Sequence, residues 1–223
     1  LTPSDGIDQS VNTGRLLIEP PTATTSAQYS AEVEAQKFSN QAGIYIQVVP
    51  ASGYTNTTTV SGGTTTVVTN DPLVPAIVTV RTGGPTGTIA ATLPANLVTY
   101  YPYKQTASTT SGTTTYTVNR GMYDQRRGAG QDLVELDITK LKTAVAQMQL
   151  PAVARDATAI SSLEPEQWTG IVYIGVTSSP TTNLDGSTVV AASADNVAVR
   201  LINGNVQVPT YGTTEGLTIA TNA

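Results

Sequence analysis

Apolar residues along this chain recur in two rhythms. Ile44-Tyr45-Ile46-Gln47-Val48-Val49 and Ile171-Val172-Tyr173-Ile174-Gly175-Val176 are nearly unbroken apolar runs. Runs of this length and β-branched content predict strands, and the second is the best candidate for the centre of a sheet. Two other stretches follow the helical period. Tyr29, Val33, Phe38 and Ala42 fall near one face of a helix predicted over about 26–42. Thr25-Ser26-Ala27-Gln28 supplies capping-box spacing at its start, and Gly43 is placed to end it in the left-handed region. Ile138, Leu141, Val145 and Met148 recur at three- and four-residue intervals and predict a second amphipathic helix over about 138–149. It follows a strand at 132–138, takes Asp137 as its N-cap and is stopped by Pro151.

Between 51 and 118 the rhythm weakens and hydroxyl residues take over. Ser61-Gly62-Gly63 separates two Thr/Val runs and predicts a tight hairpin. Gly83-Gly84-Pro85 separates a second strand pair, 77–81 with 86–92. The Ser/Thr/Gly stretch 106–115 is low in complexity and reads as an exposed loop feeding a strand. Further on, Ser161 and Glu164 have capping-box spacing for a short helical turn at 161–168. Asn203-Gly204-Asn205 predicts a hairpin joining 196–202 to 206–208. The chain therefore reads as one α+β domain over 1–223, mainly β, with an antiparallel-rich sheet and two amphipathic helices. The Thr/Gly-rich hairpins and loops at about 51–118 are an insertion decorating a core built elsewhere.

Composition changes the functional picture more than the structural one. About one residue in six is Thr, and the chain contains no Cys and no His. That excludes Ser-His-Asp and Cys-His nucleophile systems and most zinc chemistry. Charged residues are only 12% of the chain and the net charge is −5. Arg126-Arg127 is the single adjacent cationic pair, flanked by Asp124 and Asp132, so no basic stripe for nucleic acid can be read. No run of apolar residues is long enough to span a bilayer as a helix. The chain opens on the polar Leu1-Thr2-Pro3-Ser4-Asp5, and the expectation is a mature or excised portion of a longer precursor.

Candidate chemistry is sparse. Asp132, Glu135 and Asp137 could serve carboxylate acid–base catalysis, but a solvated strand edge leading to an N-cap accounts for them. Glu164 and Glu166 suit a helix start for the same kind of reason. Asp5-Gly6-Ile7-Asp8 and Asn183-Leu184-Asp185-Gly186-Ser187 offer calcium-type oxygens without the spacing of an EF-hand, and turns explain both. The glycine run Gly83-Gly84-Pro85-Thr86-Gly87 lacks the Gly-Lys-Ser/Thr ending of a phosphate loop. No catalytic residue, cofactor or metal site is therefore assigned. Tyr100, Tyr101, Tyr103 and Trp168 are candidates for an aromatic platform that binds sugars. Gly216, Leu217, Thr218, Ile219, Ala220 and Thr221 form a terminal strand able to pair with a neighbouring subunit.

Three blocks resemble a known family. They are 35–46, with Ala35-Gln36-Lys37-Phe38-Ser39-Asn40-Gln41-Ala42-Gly43-Ile44; Met122-Tyr123-Asp124-Gln125-Arg126-Arg127-Gly128 with Leu136-Asp137-Ile138-Thr139-Lys140-Leu141; and Ala198-Val199-Arg200-Leu201-Ile202-Asn203-Gly204 with Gly216-Leu217-Thr218-Ile219-Ala220-Thr221-Asn222. In order and spacing they are similar to PilX-like, type IV pilus-assembly-associated bacterial surface proteins. Arg127 stands where that pattern has an acidic residue. The resemblance implies an envelope or extracellular role and carries over no catalytic residue. The expectation is a non-enzymatic extracellular or cell-surface structural subunit, associating with itself or with other envelope or pilus proteins. The alternative is a carbohydrate-binding or adhesin module, with glycans as partners.

Overall fold

The computed structural model describes residues 17–27, 29–126, 128–177, 180–182, 188–190, 197–205 and 216–223. It is mainly β, and its strands form four sheets. In chain order the helices are α1 (Ala31–Gln36), α2 (Phe38–Gln41) and α3 (Ile138–Gln147). The first strands are β1 (Ile44–Val49), β2 (Ser52–Ser61), β3 (Thr64–Val74), β4 (Ile77–Thr82) and β5 (Thr88–Ile89). Next come β6 (Val98–Tyr101), β7 (Lys104–Thr110), β8 (Thr113–Arg120), β9 (Met122–Asp124) and β10 (Ala129–Asp137). The last are β11 (Ile171–Val176), β12 (Pro180–Thr182), β13 (Thr188–Val190), β14 (Val197–Ile202) and β15 (Thr218–Thr221).

Two sheets build the core. The first runs β15-β11-β1-β4-β5, with β15, β11 and β1 parallel and β4 antiparallel to β1. The apolar run 171–176 is an inner strand of it, as its sequence requires. The second runs β14-β10-β6, with β14 parallel and β6 antiparallel to β10. Ile44, Ile46, Val48, Val172, Ile174 and Val176 from one sheet pack with Val134, Leu136 and Val197 from the other. Leu141, Val145 and Met148 of α3 close the same cluster, which is why their spacing reads so cleanly. Asp137 caps this helix as expected, accepting from the Lys140 amide at 3.0 Å. On the reverse face of the first sheet, Tyr45 and Tyr173 stack with centroids 5.4 Å apart.

The N-terminal helix departs from expectation. Residues 24–27 make turns, Gln28 of the anticipated capping box lies outside the described residues, and the helix leading to Gly43 begins at Ala31. It breaks at Lys37, whose backbone is extended (φ −65°, ψ 134°). The break lets the buried Lys37 ammonium reach the Pro20 carbonyl at 2.9 Å, Thr22 Oγ1 at 2.7 Å and Glu34 at 2.6 Å. A buried lysine must satisfy its donors, and these three acceptors outweigh helical continuity. Gly43 is needed for space, not for a left-handed cap. A Cβ there would run into the Gln167 carbonyl and lie 2.9 Å from Thr169 N.

The expected helical turn near 161–168 is a 3-10 turn over Pro165–Gln167, and its capping box is Glu164 with Gln167, shifted from Ser161 with Glu164. The expected strand at 206–208 lies outside the described residues. We predict that Gly43→Ala lowers unfolding free energy by about 1–3 kcal/mol, the cost of overpacking a closed contact. Chemical denaturation measures this; an unchanged midpoint would refute the steric account.

Candidate functional site

The segment 51–118 is not one insertion. Its middle part returns to the core as β4, β5 and β6, while two hairpins leave it and meet. They form a four-stranded antiparallel sheet, ordered β2-β3-β7-β8. The stretch expected to be a loop, 106–115, is most of the β7–β8 hairpin. Alternation of apolar and polar residues, the usual strand signal, is missing because, among the described residues, neither face of this sheet is buried by a second layer. The turns supply the stronger signal. Gly62 and Gly63 have φ 55° and 76°, and Ser111 and Gly112 have φ 50° and 81°. Two consecutive positive φ values are the two-residue turn that matches strand twist.

Pairing register sorts the side chains of this sheet into two faces. One face carries rows Ser61-Thr64-Thr110-Thr113, Thr59-Thr66-Ser108-Thr115 and Thr57-Val68-Thr106-Thr117. Every position but Val68 bears a hydroxyl. Thr64 and Thr110 share a hydrogen bond of 2.7 Å across strands. The other face carries Val60-Thr65-Thr109-Thr114, then Thr58-Val67-Ala107-Tyr116. Val60 and Tyr116 there are 71% and 64% exposed. No charged residue occurs in 52–70 or 105–119.

A buried polar cluster fastens this sheet to the core. Asp132 on β10 accepts from the Tyr54 hydroxyl at 2.9 Å, from the Tyr100 hydroxyl, and from the Tyr103 amide at 2.7 Å. Tyr100 also accepts from the Ala51 amide at 3.0 Å. Tyr54 lies on β2 and Tyr100 on β6, so one carboxylate gathers the base of the hairpin, both strands of the core sheet and the link into β7. Burial pushes the Asp132 carboxyl above its ordinary range, more than its three donors pull it down. Burial, reinforced by the Asp132 charge, likewise pushes the Tyr54 and Tyr100 hydroxyls far up. Nearby, the Arg120 guanidinium pairs with Asp71 and donates to the Pro102 carbonyl at 3.0 Å.

The other expected site residues fall as follows. Trp168 is only 4% exposed, inside the core cluster, and Tyr100 turns inward to Asp132. Tyr101 is its neighbour on β6 and faces the opposite way. Tyr103 lies over Gly130, where a Cβ would meet its ring. The four aromatics therefore make no common platform. The terminal strand is real but already engaged: Thr218–Thr221 pairs in parallel with β11 of its own chain. Asn222 continues that pairing with its side chain, accepting from Val176 N at 2.7 Å and donating to Val176 O at 2.9 Å. Among the described residues the outer edge of β15 has no strand beside it.

Glu135 and Asp137 are buried, contrary to a solvated edge, and each is engaged. Arg200 pairs with Glu135, and Asn203 donates to Asp137 at 2.8 Å. A cleft of about 380 Å³ beside α3 is lined by Pro94, Ala95, Asn96, Lys140 and Thr143; its one cation, Lys140, already donates to the Ala95 carbonyl at 2.5 Å. Among the described residues no group of three or more acidic side chains converges as a metal site. Both candidate calcium segments lie outside them. Among those residues, too, no helix is long and apolar enough to cross a membrane. The chain matches no protein-family model, no curated protein and no solved structure.

Because the folded Asp132 carboxyl titrates higher than an unfolded one, the native state holds its proton longer. Stability conferred by Asp132 therefore falls as pH rises from the ordinary aspartate range through the raised one. The wild-type minus Asp132→Asn difference in unfolding free energy should decline over that window, and a rise would contradict the assignment. Above pH about 10, ionisation of unfolded tyrosines should further destabilise the wild type. Tyr54→Phe should flatten that alkaline limb.

Proposed function

We propose that this protein is a non-enzymatic structural subunit of a bacterial surface or surface filament, working outside the cell and associating with copies of itself. One observation carries the reading. A four-stranded sheet, free of charge over two long segments and, among the described residues, without a second layer on either face, joins the core through its base. Such a sheet contributes little to burying the core, so what it presents outward is the reason for its size. The absence of His and Cys is in line with this, as is the use of the buried carboxylates as acceptors in the fold.

The blocks resembling PilX-like proteins support an envelope setting. They fall on α1 through β1, on β9 through α3, and on β14 and β15. All of these belong to the two core sheets and the helices on them, and none to the threonine sheet. On this reading the core is the shared part and the threonine sheet is this chain's own elaboration. The carbohydrate-binding alternative loses support, because two of its four aromatics are used inside the fold.

Light scattering across a concentration series, with electron microscopy of the same samples, tests the proposal. Oligomers or repeating assemblies are expected. A discrete monomer at every concentration, with saturable binding on a glycan array, would overturn it in favour of the adhesin reading.

A further inference from the structure

Sheets with open edges need guarding, and natural edge strands carry charges, prolines or bulges for that purpose. Strand β8 has none of these between Thr113 and Val118; its register with β7 shifts only at Asn119. The other edges are less available: β14 carries Arg200, and β6 spans four residues. Strand β2 has a register irregularity between Tyr54 and Asn56, and β13 lies against it. Strand β15 spans four residues and β5 two. Among the described residues β8 pairs only with β7.

The turn fixes which backbone groups of β8 face outward. A two-residue turn at Ser111-Gly112 makes Thr110 and Thr113 the hydrogen-bonded closing pair. Bonded and non-bonded positions then alternate, so Thr115 and Thr117 also point their amides and carbonyls at β7. Thr114, Tyr116 and Val118 point theirs away from the sheet. This outward row is symmetrical about Tyr116. An antiparallel second copy centred there sets Tyr116 opposite Tyr116, Thr115 opposite Thr117 and Thr114 opposite Val118. Outward donors meet outward acceptors at each bonded position, and every side chain keeps its face.

We propose that β8 is the joint between two copies of this chain, paired antiparallel about a two-fold axis at Tyr116. The inference rests on the self-association proposed above and assigns it to one edge. The two-fold arrangement joins the sheets of both copies into one of eight strands, and it is closed. The exposed Tyr116 and Val118, 64% and 40% accessible, extend the apolar row of Val67 and Ala107 across the axis. Charge permits the arrangement. The nearest charge on the strand, Arg120, lies beyond the irregularity at Asn119 and is already paired with Asp71. The five residues 114–118 make a contact about 17 Å long. A single strand edge of that length buries less than the roughly 800 Å² per partner of a standard stable interface, so the joint is weak and forms where copies are held at high local concentration.

Sedimentation equilibrium up to about 1 mM reads the joint directly. The wild type should show a monomer–dimer equilibrium. Tyr116→Lys, which sets two ammonium groups across the axis, should raise Kd by about tenfold or more. Val60→Lys on β2 should leave it unchanged. The register has its own readout, which also stands if Tyr116→Lys fails to fold. Thr115 and Thr117 of facing copies form a non-bonded pair, close enough for a disulfide. Mixed Thr115→Cys and Thr117→Cys chains should cross-link on mild oxidation, and each alone should not; the chain has no other cysteine to confuse the result. Association unaffected by Tyr116→Lys, without mixed cross-links, would overturn the β8 joint and leave self-association standing. A wild type monomeric over the whole range would overturn both.

Discussion

One buried carboxylate holds the two halves of this protein together. Asp132 sits in the middle of a core sheet, yet the hydroxyls of Tyr54 and Tyr100 and the amide of Tyr103 all converge on it. Burying a carboxylate is costly unless hydrogen-bond donors face it, and here three donors offset part of that cost. Each donor comes from a segment leading into or out of the threonine sheet, so satisfying the charge also fixes where that sheet departs. Hydrogen bonds to a charged acceptor contribute about 1.5–3 kcal/mol each, enough to fix the junction beside the buried Ala51 and Val74.

From that junction the molecule divides by chemistry. Ile44, Ile46, Val172, Ile174, Val134 and Leu136 form a conventional interior, sealed by α3 and by Trp168. Beyond Ser52 and Val74, burial gives way to exposure, and stability passes from apolar burial to backbone ladders and cross-strand hydroxyl pairs such as Thr64 with Thr110. Threonine suits this role because its branched Cβ favours extended backbone while its hydroxyl tolerates water. The high threonine content is thus concentrated where a sheet must persist without a second layer over it.

What could be read in advance follows the same division. The inner strand 171–176, the helix after Asp137 and the Gly62-Gly63 turn were legible because burial or turn geometry leaves a local mark. The β7–β8 hairpin was not, since a strand exposed on both faces has no reason to alternate. Trp168 misled for another reason. A tryptophan beside a turn reads as exposed, but this one is buried in a core cluster whose other members lie far away in sequence. Asp132 looked like an edge carboxylate, and only the positions of Tyr54 and Tyr100, 78 and 32 residues away, reveal its role.

The most direct test of this account is amide hydrogen exchange, residue by residue, in the wild type and Asp132→Asn. The account predicts that the variant loses protection throughout β2, β3, β7 and β8, with β1 and β11 retaining theirs. Uniform loss across both regions, or a threonine sheet that keeps its protection, would contradict the claim that Asp132 fastens one to the other.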